Sequence, residues 1–313
     1  MRYYDIPGLG RPASAMVWGC MHLNDVTPKE GEAAFRAALD SGINYFDHAD
    51  FYADGACERR FGEIVHLTPS MREKIFLQGK CGIRNSVPGG RPTCFDFSKE
   101  HILAAVEGTL RRLGTEYLDV LLLHRPDALM EPDEVGEAFQ RLQEAGKVRA
   151  FGVSNQNPAQ MALLQSGLPV PLRFNQMQFS VAHTPMLDAG FNVNMCNPLA
   201  VGRDGGVLEY CRLHQVTVQA WSPFQHGFFA GCYLGDREKY PELNRELDAL
   251  GGKYGVSAAA IAVAWILRHP AHMQVLLGSM KPARLQDACA GADVELTREE
   301  WYALYCAAGN VLP

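Results

Sequence analysis

Short apolar runs alternate with amphipathic stretches along most of this chain. The runs lie at 15–18 (Ala15-Met16-Val17-Trp18, ended by Gly19), 43–46, 75–79, 118–123, 148–152, 173–176, 216–221 and 274–277. Runs this short, apolar at successive positions rather than alternating, predict strands buried on both faces. Between them the apolar period changes to that of helices. Thr27-Pro28-Lys29-Glu30 is a capping box with Pro at the first helical position, opening a helix through Leu39, and Gly42 follows in the place of a C-cap glycine. Further helices are predicted near 56–65, from Ser98 with Ile102, Leu103, Val106, Leu110 and Leu113 apolar, over 133–145 closed by Gly146, at 158–164, near 206–214, over 256–268, from about Pro282, and over 298–306.

Eight strands separated by helices imply parallel strands joined by right-handed crossovers. Eight βα units in a 313-residue chain predict an α/β fold of the (β/α)8 TIM-barrel type, in one domain spanning 1–313. The rival is an open doubly wound sheet. It usually carries a Gly-x-Gly-x-x-Gly turn after its first strand, and no such turn is present.

Composition narrows the function classes. The 47% hydrophobic and 20% charged residues suit a globular protein with a sizeable core. A net charge of −6, without a long basic run, argues against nucleic acid or an anionic membrane surface as partner. The first residues lack the apolar core of a signal peptide, and no uninterrupted apolar stretch is long enough to span a bilayer. Nine scattered cysteines without a Cys-x-x-Cys pair read as reduced thiols in a cytoplasmic protein.

Four ionisable residues then stand out. Asp47, Lys80 and His124 end the second, third and fourth apolar runs, and Tyr52 lies five residues past Asp47. Taken singly, each has an ordinary explanation as a helix cap, a surface ion pair or loop packing. In a parallel barrel, however, the strand ends share one face, where active sites sit. A phenol is a poor acid at neutral pH. A nearby ammonium lowers its pKa, and a carboxylate fixes the ammonium. Lys80 and Asp47 can serve Tyr52 in those roles, while His124 gives a second hydrogen bond to the same substrate oxygen. Such a set suits a carbonyl accepting a hydride, which no side chain supplies, so a nicotinamide cofactor is implied.

The chain resembles the aldo-keto reductase superfamily, and within it a bacterial branch of YdhF-like oxidoreductases. The resemblance rests on Asp47-His48-Ala49-Asp50-Phe51-Tyr52, Lys80-Cys81-Gly82, Leu121-Leu122-Leu123-His124-Arg125-Pro126, the segment 146–155, Asn175-Gln176 and the segment 278–284. It implies reduction of aldehydes or ketones to alcohols, with Tyr52 as general acid, Lys80 its pKa-lowering partner, Asp47 holding Lys80, and His124 orienting the carbonyl. It places Ser154, Asn155 and Gln176 at the nicotinamide carboxamide, Trp221 on the ring face where an aromatic usually stacks, and Gly19 within the same cofactor-binding set. Ser279, Lys281 and Arg284, around a helix start, suit an anionic nucleotide. The implied cofactor is NADPH (NADP+), with NADH the alternative. Ala288 departs from the Asn or Glu that many relatives carry near the adenine.

Substrate choice is expected from loops at 20–24, 84–97, 179–203 and 224–240, the last rich in aromatics. With no long tail after 298–306, the expected site is open and permissive toward small carbonyl compounds, on a monomer or weak homo-oligomer. Two other classes compete. One is a nicotinamide-nucleotide-binding regulatory or redox-sensing subunit with weak turnover. The other is a metal-dependent barrel hydrolase using Asp47, His48, Asp50 and His124, which the missing His-x-His after the first strand disfavours, so no metal is expected.

Overall fold

The eight strands are β1 (Met16–Gly19), β2 (Tyr45–Asp47), β3 (Phe76–Cys81), β4 (Leu118–Leu123), β5 (Val148–Ser154), β6 (Leu172–Gln178), β7 (Thr217–Trp221) and β8 (Gln274–Leu277). In the computed structural model, which describes residues 1–90 and 92–313, they pair in parallel in chain order and close into a barrel, β8 returning to β1. A (β/α)8 TIM barrel is therefore the fold.

Side-chain parity decides what enters the barrel. Val17, Tyr45, Phe76, Val120, Leu122, Ala150, Phe174 and Leu276 form an inner apolar cluster with Ile6, Leu9 and Ala13 of the N-terminal segment. Neighbouring residues of opposite parity, such as Trp18, Phe46, Leu77 and Leu121, join the outer layer between strands and helices. The N-terminal segment forms a small hairpin, Tyr3–Tyr4 with Ala13–Ser14. Inward parity continues upward from Tyr45 to Asp47, from Phe76 through Gln78 to Lys80, and from Leu122 to His124. The polar residues at the open end are thus continuations of the same inward rows.

Most helices fall where the periodicity puts them. Pro28–Asp40 carries the capping box on Thr27, and Ala56–Val65, Lys99–Leu113, Pro132–Glu144 and Pro158–Gly167 follow β2 to β5. The last two pack so closely that a Cβ on Gly136 would lie 2.1 Å from the Gly167 carbonyl oxygen. Only glycine permits that approach.

Six strands differ from the sequence expectation at their ends, β1 and β7 by a single residue. β2 begins at Tyr45 rather than 43, β3 runs past Lys80 to Cys81, and β5 and β6 extend to Ser154 and Gln178. Each extension is carried by inter-strand hydrogen bonds that charge and polarity in the sequence mask. Besides the single turn Pro69–Arg72, two helices, Pro185–Phe191 and Pro241–Tyr254, lie outside the sequence expectation. The second has Pro at its start, Leu243, Leu247 and Leu250 buried along one face, and left-handed Gly255 at its end. That cap also delays the following helix to Ala258–Arg268, opened by Ser257. Arg91, in the expected 84–97 loop, lies outside the described residues; around it Ile83–Arg84 pairs with Cys94–Phe95. No single helix among the described residues is long and apolar enough to cross a membrane.

Candidate active site

Asp47 ends β2 with 1% exposure, and Lys80, also 1% exposed, stands in β3 two residues beyond Gln78, the register partner of Asp47. Lys80 Nζ donates to both Asp47 oxygens at 2.6 Å. Burial pushes the Lys80 pKa down, but the Asp47 carboxylate and Tyr52 outweigh it and the net direction is upward. The ammonium is therefore held charged.

Tyr52 opens the short turn Tyr52–Gly55 after β2, and its ring centroid lies 5.0 Å from Lys80 Nζ. The turn holds Ala53 and Asp54 at φ 48° and 50°, a left-handed conformation unusual for residues other than glycine. Asn85 donates a hydrogen bond to Asp54 Oδ1 there. Burial raises the Tyr52 pKa, and Lys80 pulls it back, leaving it at about 12. Lys80 thus acts in the expected direction, but the loss of hydration is larger, because Asp47 offsets part of the ammonium charge.

His124 follows β4, its backbone N–H donating to the Cys81 carbonyl at 2.8 Å. Its ring stands edge-on to Tyr52, centroids 5.7 Å apart at 85°. Burial, then Lys80 and Arg125, drive its pKa well below the ordinary histidine value. A neutral imidazole offers one N–H, which makes it a hydrogen-bond donor of fixed direction.

Below these residues lies a buried amide network that the sequence reading missed. Gln78 Nε2 donates to Asp47 Oδ1 at 2.5 Å and to Gln219 Oε1 at 2.9 Å, and Gln78 Oε1 accepts from the Tyr45 hydroxyl at 2.7 Å. Gln219 in turn donates to Gln274 Oε1 at 2.9 Å, and Gln274 to the Ser14 carbonyl at 2.8 Å. Gln176 Nε2 adds donations to Asp47 Oδ1 at 3.2 Å and Gln219 Oε1 at 3.1 Å. The signal was a glutamine inside an apolar run, two residues before Lys80 and so on the same face.

Asp47, His48, Asp50 and His124 do not form one cluster. His48 has the opposite parity to Asp47 and packs edge-on to Phe61 at 4.5 Å, both ring nitrogens without a hydrogen bond. Burial and Lys80 depress its pKa to about 3. Asp50, its Oδ1 buried without a partner, is raised to about 7 by burial and by Glu58. No group of three potential metal ligands occurs among the described residues.

The segments assigned to the nucleotide lie on the same rim. Ser154 Oγ donates to the Gln176 carbonyl at 2.9 Å, Asn155 Nδ2 to Ser154 Oγ at 2.7 Å, and Trp221 Nε1 to Asn155 Oδ1 at 3.2 Å. Asn155 adopts φ 58°, turning the chain over the barrel mouth. Farther round, Gly278, Ser279, Lys281 and Arg284 line a cavity of about 440 Å³ together with His22, Asp25 and Glu30. Gly19 pairs with Asp47 in the register of β1 and β2, and a Cβ there would lie 3.8 Å from Gly278. Ala288 is buried at 2% exposure and is not among the cavity-lining residues. Trp221 is part-exposed at the mouth, edge-on to Phe228 at 6.1 Å.

The model of the aldo/keto reductase family matches residues 15–305. Oxidoreductase YdhF of Escherichia coli is 36% identical, the match covering 86% of this chain and 84% of that protein. A 6-dehydroglucose reductase of Agrobacterium fabrum is 34% identical, covering 94% of both. Among solved structures, a glycerol dehydrogenase from Gluconobacter oxydans superposes with a TM-score of 0.80 at 26% identity, covering 99% of this chain and 96% of that one.

Proposed function

The chain belongs to the aldo/keto reductase family, an oxidoreductase family, and from that premise we propose that it reduces aldehydes or ketones to alcohols with NADPH, Tyr52 being the proton donor. The observation that carries this reading is the Lys80 ammonium, fixed by Asp47 and set against Tyr52, with neutral His124 edge-on to the same ring.

The residues present fit a nicotinamide nucleotide. Ser154, Asn155 and Gln176 would hold the carboxamide and Trp221 the ring face. Gly19 adjoins Gly278 at the edge of the segment carrying Ser279, Lys281 and Arg284, whose two cations suit a 2′-phosphate. NADH is the alternative nucleotide. When bound, the reduced nicotinamide supplies the hydride. The chain's own part is the proton and the geometry. His124 donates its N–H to the carbonyl oxygen and fixes its direction. As negative charge grows on that oxygen, the Tyr52 hydroxyl gives up its proton to it, and Lys80 stabilises the phenolate left behind. Asp47 keeps Lys80 charged and in place. A Tyr52 pKa near 12 favours retention of the proton until the substrate oxygen needs it.

The names of two relatives, a 6-dehydroglucose reductase and a glycerol dehydrogenase, support a carbonyl–alcohol couple on a small substrate. All nine cysteines are unpaired, which supports a reducing, cytoplasmic setting. The test is NADPH oxidation with 4-nitrobenzaldehyde by the wild type and Tyr52→Phe. Removal of the proton donor should cost about 10²- to 10⁴-fold in kcat. Equal and negligible rates in both proteins would replace the enzyme with a nucleotide-binding regulatory subunit.

A further inference from the structure

Arg125 is a cation that the proton-donating set does not use. It follows His124, and its guanidinium carbon lies 5.4 Å from the Phe228 ring centroid and 5.9 Å from that of Trp221. Other partly buried arginines are matched: Arg72 with Asp119, Arg112 with Glu58, Arg84 with Asp96. Arg125 has no hydrogen bond or ion pair among the described residues. Burial lowers its pKa, and the Tyr52 hydroxyl pulls the other way. A half-buried guanidinium without an acceptor is costly unless a ligand supplies one.

We propose that Arg125 anchors an anionic group of the substrate, so that the preferred substrates are aldehydes or ketones carrying a carboxylate a few bonds from the reacting carbon. The inference rests on the reductase reading above and names its substrate class. A planar guanidinium pairs with carboxylate through two parallel hydrogen bonds, stronger than those to neutral hydroxyls. Trp221 and Phe228 flank the cation with apolar faces for the body of the molecule, and His124 beside it is the group assigned to the carbonyl. On a chain of net charge −6 an unmatched cation also draws anions to the mouth. The nucleotide phosphates do not fill this role. Their cations follow β8, and Arg125 follows β4, four strands away on the opposite side of the eight-stranded ring.

The test pairs formylbenzoates with the matching nitrobenzaldehydes, because nitro and carboxylate groups have the same planar shape and differ in charge. The ratio of kcat/KM for carboxylate over nitro substrate is compared between wild type, Arg125→Met and Arg125→Lys. The ratio should fall about 10- to 100-fold in Arg125→Met and less in Arg125→Lys, which keeps the charge but loses the fork. Thermal melting checks the fold of each variant. Equilibrium titration of the NADP+ complex with 4-formylbenzoate reads the same preference without turnover. Binding lost in Arg125→Met would thus sustain the inference even if no aldehyde were reduced, the outcome that sinks the reductase reading. An unchanged ratio with unchanged 4-formylbenzoate binding would overturn the inference. So would an affinity for NADPH that falls in Arg125→Met as much as that for the formylbenzoate.

Discussion

The Lys80 ammonium lies 2.6 Å from both oxygens of Asp47, and the two side chains have 0% and 2% exposure. Two charges on adjacent strands are buried together, and each is tolerable because the other is there.

Removing either partner strands the other. Asp47→Leu or Lys80→Met alone should cost about 3–5 kcal/mol, and the double variant less than the sum of the two. Urea denaturation of the four proteins closes the cycle. Additive losses would mean that the pair is not coupled. Reductase activity should be lost in all three variants.

Gln78 should act on the site through Asp47. Gln78→Met keeps the length of the side chain but removes the 2.5 Å donation to Asp47. We expect kcat to fall about tenfold, with the pH–rate profile displaced, since Asp47 with one donor fewer is held less firmly against Lys80. Tyr45→Phe removes a different hydrogen bond of the same glutamine, the one its carbonyl oxygen accepts. It should lower stability by about 1 kcal/mol and leave the pH–rate profile in place. Matching profiles for the two variants would reduce Gln78 to a packing residue.

Asp50 sets a pH dependence of stability. Its carboxyl is raised to about 7 in the fold by burial and Glu58, against an ordinary value of 3.8. Below the ordinary value both folded and unfolded chains hold the proton, and the contribution is fully present. As pH rises toward 7 the unfolded chain releases that proton first, and a few kcal/mol, as an order of magnitude, are lost. Asp50→Asn should therefore raise the urea midpoint at pH 8 far more than at pH 4.5. An equal gain at both would refute a buried, protonated Asp50.

Arg284 should separate the two nucleotides. It lines the cavity with Lys281, together with the acidic Asp25 and Glu30. Arg284→Ala should raise the Kd of NADPH by about 10- to 100-fold and leave that of NADH nearly unchanged. Tryptophan fluorescence titration gives both constants. A parallel loss for both would assign Arg284 to the shared pyrophosphate instead.

Much of the site could be read from the chain because its residues end short apolar runs. Asp47 and His124 share inward parity with the apolar residues two positions before them, Lys80 with Phe76 four positions before it, and the strand period alone aligns them. Gln78, Gln219 and Gln274 escaped notice because a glutamine in an apolar run carries no charge to mark it. The helix Pro241–Tyr254 escaped because its apolar face follows an aromatic-rich loop. Arg125 sat within a recognised motif, but nothing in the string says that its guanidinium lacks an acceptor.

The sequence by itself determined the eight strand–helix units, the inward rows and the types of group at their upper ends. These depend on local period, caps and polarity, which each segment carries alone. Only the closed barrel decided which groups meet. It set Lys80 on Asp47, tied Asp47 to glutamines from two other strands, raised Tyr52 by burial, and left Arg125 against Trp221 and Phe228 without a counter-charge. Pairings and desolvation belong to residues far apart in the chain, so no local pattern encodes them.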